Sequence, residues 1–242
     1  MGDLYNQLLF QPIYNLLIWL HNILPGHDVG WAIIIITLLI RLILYPLSKK
    51  GLESQKALQI LQPKMAELQK KYKDNREELA RQTLALYKEH KVNPFASIGP
   101  MLVQLPVLIA LYDVFNRGFK NETFSVLYSF VAAPENVNHF WFGVFDLSLP
   151  NLALGILAGV AQYYQMKIMF RLRPSPAPAA PGQPDMARIM QKQMMFMSPV
   201  MIAIFSFGLP AALPLYWLVS TLFTVGQEFA LARSKAPASS KA

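Results

Sequence analysis

Apolar residues occur in five long blocks along the chain, separated by polar segments. A helix that crosses the hydrocarbon core of a bilayer needs roughly 20 predominantly apolar residues, and the blocks approach that length. This pattern predicts an all-α, polytopic membrane protein with five transmembrane helices. We number these spans one to five, and they cover residues 29–47, 97–116, 147–167, 193–208 and 211–230.

The first 28 residues have a weaker apolar pattern. Polar residues interrupt the apolar stretch of residues 4–24, and Pro12 lies within it. A diluted apolar helix of this kind is typical of an amphipathic segment that lies in the membrane interface, with Trp19 as an anchor. We therefore predict an external, interfacial helix in residues 1–28. A full span over residues 4–24 is the alternative.

Residues 48–96 are polar and basic, with eleven Lys or Arg and six Asp or Glu. One apolar stripe with helical spacing runs through the first half, formed by Leu58, Leu61, Met65, Leu68 and Tyr72. A turn signal follows at residues 73–75, and Pro63 predicts a kink or a restart of the helix. We predict a hairpin of two antiparallel helices outside the membrane. The stripe serves either the packing of the hairpin or the docking of a partner.

The basic residues predict the orientation of the chain, because Lys and Arg are enriched in cytoplasmic loops. Most of the Lys and Arg residues lie in three segments: the hairpin, the proline-rich loop of residues 168–192 and the tail of residues 231–242. The loop of residues 117–146 has two, and the first thirty residues have none. We expect a multi-pass protein of the bacterial plasma membrane with its N-terminus outside and its C-terminus in the cytoplasm. If residues 4–24 also cross the membrane, the loops stay on the same sides and only the N-terminus moves, to the cytoplasmic side.

The composition limits the kinds of catalytic and metal site that this chain can form. The chain has 242 residues, is 54% hydrophobic, has a net charge of +8 and contains no cysteine. Disulfides, thiol catalysis and cysteine-ligated metals are therefore excluded, and the four scattered histidines do not have the spacing of metal ligands. No nucleophile with a base and no phosphate-binding loop stands out. We expect no enzyme, no cofactor, no metal and no specific nucleic acid.

Arg41 lies inside the first span. In a straight helix it would lie about 12 Å short of Lys49, and holding a charge at that depth costs on the order of 3 kcal/mol. Our central hypothesis is that Arg41 faces a water-filled cavity. The alternative is a side chain that reaches along lipid to the headgroups.

Other residues in the spans have more ordinary interpretations. Gly155 and Gly159 have the spacing that permits close contact between helices, which we interpret as packing. Asp113 and Glu228 lie near the ends of spans and are interpreted as interfacial residues.

Three stretches in this order carry a resemblance to a known family: GWAIIIITLLIRLILYPLSKK, LQPKMAELQKKYKD and LYKEHKVNPFASIGPMLVQLPVLIALY. Together they resemble YidC-type membrane protein insertases of the Oxa superfamily, over about residues 9–227. The chain looks like a minimal form without a large external domain, or a truncated one. The resemblance implies a five-span core with a hydrophilic groove that opens to the cytoplasm and to lipid.

The resemblance assigns Arg41, Thr37 and Gln104 to the groove. Trp217 is also predicted to line the groove, but it stands about where many relatives have a tyrosine, so a contact between threonine and tyrosine is not carried over. Neutral partners in the groove would be Ser220 and Thr224. Methionine adapts to varied partners, so a hydrophobic path for the substrate is predicted on spans two and four, with the candidates Met194, Met197, Met201, Leu102 and Leu105. These residues could equally be ordinary lipid-facing positions.

The expected function is that of a membrane protein insertase or chaperone that guides small membrane proteins into the bilayer. Its partners would be nascent membrane proteins and membrane lipids, with the ribosome, a targeting factor and the Sec translocon as further candidates. The alternative is a small channel or secondary transporter that uses Arg41 for anion passage. The spans show no inverted repeat, which many transporters have.

Overall fold

The structure is a computed structural model that describes residues 2–73, 75–93, 99–118, 121–171 and 186–234. Most of these residues are helical, as predicted. The helices are α1 Gly2–Tyr5, α2 Gln11–Ile23, α3 Val29–Ile43, α4 Tyr45–Lys71, α5 Arg76–Glu89, α6 Gly99–Arg117, α7 Asn121–Phe124, α8 Leu152–Arg171, α9 Met186–Phe205 and α10 Ala212–Ser234. A π-helical turn covers Asn6–Phe10, and a 3-10 turn covers Pro25–His27. Two short antiparallel strands, β1 Phe140–Trp141 and β2 Phe145–Asp146, depart from the all-α prediction.

Helix α10 connects the two halves of the helical assembly. It packs against α3 on one side and α8 on the other, and α8 packs against α9. The apolar core lies among α2, α3, α6 and α10, where large side chains are fully buried, among them Tyr14, Leu17, Ile33, Leu111 and Tyr216. The packing thus brings the first, second and fifth predicted spans together around one core.

The first predicted span is bent rather than straight. Helix α3 ends at Ile43, Leu44 leaves the helical conformation, and α4 begins at Tyr45 at an angle of 65°. Pro46 explains the bend, because proline lacks the N–H group that the continuing helix would need. The predicted span over residues 29–47 therefore contains the end of α3 and the start of α4, and its crossing of a membrane stays a prediction. The estimate of the depth of Arg41, which assumed a straight helix, does not hold.

By length and apolar character, no single helix in the described ranges is sufficient to cross a membrane. Helix α3 and the first part of α4, Tyr45–Leu58, reach the required length and apolar character together.

Three helix boundaries differ from the predictions. Helix α8 begins at Leu152 rather than at residue 147, because Asn151 accepts the Leu154 N–H at 3.1 Å and caps the helix. The preceding carbonyls of Leu147 and Leu149 instead bind the N–H groups of residues 211 and 212. Helix α9 begins at Met186 and α10 extends to Ser234, since Lys, Arg and Gln reduce hydropathy but favour helix formation. Residues 172–185 of the predicted proline-rich loop and residues 235–242 of the tail lie outside the described residues.

The N-terminal segment forms part of the core. Pro12 does not break the helix, because the chain widens into a π-helical turn just before it, where the Gln11 N–H binds the Asn6 carbonyl. One face of α2 is buried against protein, whereas Trp19 is 41% exposed. Protein covers the apolar face of this helix, and its place in the membrane interface stays a prediction.

The polar side chains that interrupt the apolar pattern of this segment form hydrogen bonds with the loop of residues 121–146. Gln11 and Asn15 donate to the Val126 carbonyl at 2.9 and 3.1 Å, and Asn15 Oδ1 accepts the Tyr128 N–H at 2.6 Å. Asn22 donates to the Ala132 carbonyl at 2.8 Å. Buried backbone groups need such partners, so these side chains hold the loop against α2.

The predicted hairpin is present as α4 and α5. Helix α4 continues through Pro63 without interruption, so the predicted restart of the helix at this residue is wrong. Leu61 on α4 and Leu86 on α5 are buried, while Ser54 donates to the Asn93 carbonyl at 2.6 Å. Leu61, a residue of the apolar stripe, is therefore covered by protein.

The glycine pair on α8 allows the close contact with α9. A Cβ atom at Gly155 would lie 2.5 Å from Ser206 Cβ, and one at Gly159 would lie 2.9 Å from the Pro199 carbonyl oxygen. Both distances are shorter than van der Waals contact. The prediction that these glycines serve packing is confirmed.

His21 gives the contact between α2 and the loop that follows α7 a pH dependence. Its Nε2 atom accepts the Asn138 N–H at 3.3 Å, so protonation of the ring would remove this bond. Burial lowers the pKa of His21 below its ordinary value of 6.5, and the nearby His27 and His139 lower it further, against the hydrogen bond to Asn22 and the charge of Asp28. A lowered pKa in the folded state means that the free energy of unfolding is highest above pH 6.5 and falls as the pH decreases below it.

We therefore expect the melting temperature in detergent to be constant between about pH 7 and 8 and to fall below about pH 6.5. Thermal unfolding followed by circular dichroism at each pH measures this. The fall should be smaller in His21→Gln, which has no titrating group at that position. An identical fall in both proteins would show that other groups cause it.

Candidate functional site

A cavity of about 520 Å³ lies among α3, α4, α6, α8, α9 and α10. Most of the side chains that line it are polar. Five are glutamines, contributed by four helices: Gln55, Gln104, Gln162, Gln165 and Gln227. Two charged residues, Arg41 and Glu228, also line it. A polar cavity of this size holds water readily.

Neutral side chains hold Arg41 at the wall of this cavity. Its Nε atom donates to Ser220 Oγ at 2.7 Å, and its Nη2 atom donates to Gln104 Oε1 at 2.8 Å and also to Ser220 Oγ. Among the described residues, all hydrogen-bond partners of the guanidinium are uncharged. Arginine does not deprotonate in proteins, so the cavity wall carries a full positive charge.

Gln104 is fixed by a further contact. Its Nε2 atom donates to the Tyr216 hydroxyl, and Tyr216 is only 2% exposed. The amide therefore points its oxygen at Arg41 and its nitrogen at Tyr216. The chain Tyr216–Gln104–Arg41–Ser220 joins α10, α6 and α3 at one point.

The sequence analysis did not single out Tyr216 for this site. It placed Trp217 at the tyrosine position of relatives, and Trp217 does line the cavity. The preceding residue, Tyr216, supplies the hydroxyl that fixes Gln104. No signal in this sequence alone distinguishes these two neighbours, because both are aromatic.

Thr37 does not reach the cavity in this structure. Its side chain is completely buried, and its hydroxyl donates to the Ile33 carbonyl one turn earlier at 2.6 Å. The cavity-lining residues do not include it. Thr37 lies on the same face of α3 as Arg41, but one turn earlier, where the core encloses the helix. Its place in the groove therefore stays a prediction that this cavity does not support.

Helix α10 supplies a polar stripe to the cavity. Ser220, Thr224 and Glu228 follow each other at intervals of four and lie on one face. Thr224 donates to the Ser220 carbonyl at 2.9 Å, and the neighbouring Thr221 donates to Gln162 at 3.3 Å. The placement of Ser220 and Thr224 at the cavity agrees with the sequence-based hypothesis.

Glu228 is a cavity residue that the sequence analysis interpreted as interfacial. Its side chain is 2% exposed and lines the same cavity as Arg41. The interfacial interpretation is wrong for Glu228. Asp113, in contrast, is partly exposed and lies 3.2 Å from Arg117 Nη2, and it accepts the Tyr5 hydroxyl at 2.8 Å.

Three of the five hydrophobic candidates have described side chains. Leu105 on α6 is 45% exposed, and Met197 and Met201 on α9 are 54% and 39% exposed. The side chains of Met194 and Leu102 lie outside the described residues. The three described residues present apolar surface to the outside of the helical assembly.

The described residues contain no group of three or more His, Cys, Asp or Glu side chains that would hold a metal ion. The polar groups of the cavity can donate and accept hydrogen bonds, and the positive charge of Arg41 can attract a negative group. This arrangement is suited to transient polar contacts.

Comparison with known proteins identifies the family. A family model described as 60Kd inner membrane protein matches residues 19–238. The chain belongs to this family. The resemblance drawn from the sequence motifs is therefore confirmed, and the chain is a membrane protein.

Individual relatives agree with this assignment. Membrane protein insertase MisCA of Bacillus subtilis (strain 168) is 35% identical over 229 residues, which cover 93% of this chain and 78% of that protein. Membrane protein insertase YidC of Francisella tularensis subsp. novicida (strain U112) is 34% identical over 223 residues, which cover 90% of this chain and 35% of that protein. These names describe insertases rather than enzymes, which agrees with the expectation that this protein is not an enzyme.

Proposed function

We propose that this family member is a membrane protein insertase that guides small membrane proteins into the bilayer through the polar cavity at Arg41. The names of its relatives support the general function. The observation that carries the mechanism is a full positive charge, held by neutral side chains at the wall of a polar cavity.

The physical problem of insertion is the transfer of a polar, often acidic, tail across hydrocarbon. A carboxylate that enters an apolar medium without a partner carries a large desolvation cost. A water-holding cavity with one fixed cation reduces this cost, because low-dielectric walls strengthen the field of the cation. No carboxylate is bonded to Arg41 among the described residues, so its attraction for an incoming acidic tail is not already neutralised at the guanidinium.

The tail must also leave the cavity. The contacts of Arg41 use Nε and Nη2, and its Nη1 atom has no acceptor among the described residues. A substrate carboxylate would therefore be held by a part of the guanidinium rather than by all five donors. Such a contact is weak enough to be transient, which translocation requires.

In this proposal α3, α6, α8, α9 and α10 are the five spans, with the N-terminus outside and the C-terminus in the cytoplasm. Large exposed apolar side chains on all five helices support this arrangement: Ile43, Ile109, Val160, Ile204 and Leu222. Apolar surface of this extent is favourable against lipid rather than water.

The apolar segment of the substrate would leave along α6 and α9. Leu105, Met197 and Met201 present suitable apolar surface there, and unbranched methionine side chains adapt to different substrate helices. The basic hairpin of α4 and α5 is suited to cytoplasmic partners and anionic lipid. Contacts with the ribosome, a targeting factor or the Sec translocon stay predictions from the sequence.

Anion passage receives less support than insertion. An anion pathway would favour one sign of charge along its walls, whereas Glu228 lines the same cavity as Arg41.

Reconstitution of the purified protein into liposomes tests the proposed function. The substrate is a single-span protein with a short acidic external tail, and the measurement is protection of that tail from external protease. We expect clear protection with this protein and little with protein-free liposomes. Equal protection in the two preparations would contradict the proposal.

A further inference from the structure

The turn between β1 and β2 carries an aromatic residue in an unfavourable backbone conformation. The Val144 N–H binds the Trp141 carbonyl at 3.1 Å and closes this turn. Its two central residues, Phe142 and Gly143, have φ angles of 53° and 68°, which is the pattern of a type I′ turn. Asn, Asp and Gly are preferred at such positions, and a bulky residue there is strained. Strain of this kind points to a role for the Phe142 side chain.

Contacts with α3 hold this turn in place. Asp28 caps α3 by accepting the Gly30 N–H at 2.7 Å, and its second carboxylate oxygen accepts the Phe142 N–H at 3.0 Å. The Trp141 ring lies so close to Gly30 that a Cβ atom there would overlap it. The Trp31 and Phe142 rings meet edge to face, with 5.5 Å between their centroids. The turn and the first turn of α3 therefore form one unit.

This unit presents apolar surface to the outside of the protein. Phe142 and Val144 are 61% and 72% exposed, and Phe140 and Trp31 are exposed as well. We call these four residues the turn patch. Residues 136–145 contain no Lys, Arg, Asp or Glu, so no charge within this stretch favours water over an apolar partner.

The turn patch continues the outward face of α3. Trp31, Leu38 and Leu42 follow each other at helical spacing, and all three are exposed. In the proposed arrangement of the spans this face lies against lipid. The turn patch is at the external end of the same face, where the helix leaves the hydrocarbon core. Tryptophan in particular favours this level of a membrane, so lipid rather than a protein fits as the partner.

We propose that the turn patch is a membrane anchor, which inserts into the outer leaflet at the headgroup level and fixes the depth of α3. This inference rests on the arrangement of spans in the proposed function, and not on insertase activity. Arg41 follows Trp31 by ten residues on the same helix, which is about 15 Å along the axis. The hydrocarbon core is about 30 Å thick. The anchor thus holds Arg41 and its cavity near the middle of the membrane.

A direct measurement of depth tests the anchor, because the sequence contains no cysteine. Val144→Cys and Asn136→Cys each give the full-length protein a single site for a fluorophore, and Asn136 is an exposed polar residue of the same loop. The labelled proteins are reconstituted into phosphatidylcholine vesicles with nitroxide quenchers at known depths on the acyl chains. We expect the label at position 144 to lie about 5–10 Å below the headgroup boundary. The label at position 136 should be quenched by aqueous iodide instead.

Phe142→Asn assigns the insertion to the aromatic side chain. Asparagine suits the conformation of this turn, so the melting temperature in detergent should stay constant or rise. In vesicles the label at position 144 should nevertheless shift toward the aqueous phase, because the largest apolar side chain of the turn is lost. Phe130→Asn is the matched control: Phe130 is an exposed residue of the same loop outside the turn patch, and its replacement should leave the depth at position 144 unchanged.

Three outcomes would overturn the anchor. Iodide could quench the label at position 144 as strongly as the label at position 136, which would place the turn in water. Neither quencher could reach position 144, which would mean that protein covers the patch. Phe142→Asn could leave the depth unchanged. These measurements need no substrate, so their failure leaves the insertase function standing, whereas an anchored protein that inserts no substrate would contradict that function alone.

Discussion

Arg41→Ala is expected to reduce the insertion rate of a substrate with an acidic external tail by about tenfold or more, the size of effect that the loss of a close charge pair in a partly desolvated site has. The variant removes the positive charge from the cavity wall and leaves Ser220 and Gln104 with each other or with water. Arg41→Lys should retain much of the activity, because it keeps the charge although it cannot reach both partners as a planar guanidinium does. Protease protection of the tail in proteoliposomes measures the rate.

Two controls distinguish the charge from a structural role of Arg41. A substrate with a neutral tail should be affected much less by Arg41→Ala, since it does not need the cation. Arg81→Ala removes an exposed arginine on α5 and should leave both substrates unaffected. Equal losses for acidic and neutral tails in Arg41→Ala would mean that the residue holds the helices together and is not an electrostatic contact for the substrate.

Gly155→Ala is expected to destabilise the protein by about 1–3 kcal/mol, the usual cost of overpacking a well-packed contact. The added methyl group would lie 2.5 Å from Ser206 Cβ, and that atom is attached directly to the backbone of the residue that follows α9. Helices α8 and α9 would have to separate. We expect the melting temperature in detergent to fall by about 5 °C, following the size scaling of known domains.

Gly226→Ala is the matched control for this prediction. It makes the same change inside helix α10, but no heavy atom lies within 4 Å of the position that the new Cβ would occupy. Alanine is the better helix former by up to about 1 kcal/mol, so the melting temperature should stay constant or rise. A fall as large in Gly226→Ala as in Gly155→Ala would show that the helix contact is not the cause.

Several features of the site followed from single residues in the sequence. A charge inside an apolar block needs a polar surrounding whatever the details of the packing, and this argument led from Arg41 to a cavity. The resemblance to a family then pointed to Gln104, which the structure places 2.8 Å from the Arg41 guanidinium. Ser220 and Thr224 were predicted to lie in the groove because they are polar residues within a span, and both line the cavity.

Other features were not predictable, because they depend on which face of a helix is covered. Thr37 and Arg41 are four residues apart on α3, yet Thr37 is inside the core and bonded to its own helix. Glu228 looked interfacial from its position near the end of a span. In the fold it is 2% exposed and lines a cavity to which α4 and α8 also contribute side chains. A linear hydropathy pattern does not contain these contacts.

The polar residues of the N-terminal segment show the same limit of prediction from the sequence. Gln11, Asn15 and Asn22 reduce the apolar character of the segment, which favoured an interfacial helix. In the fold they bind backbone groups of the loop that follows α6. A polar side chain in a sequence is compatible with water, headgroups or a buried peptide group, and only a folded partner decides among them.

The sequence by itself determined the helical class, the basic hairpin and the existence of a polar place for Arg41, since these follow from local periodicity and from the cost of an isolated charge. The tertiary structure decided the bend at Leu44, the partners of the guanidinium, the burial of Thr37 and the presence of Glu228 in the same cavity. The physical reason is that periodicity and desolvation act on each segment separately, whereas burial and hydrogen bonding depend on segments that are far apart in the chain.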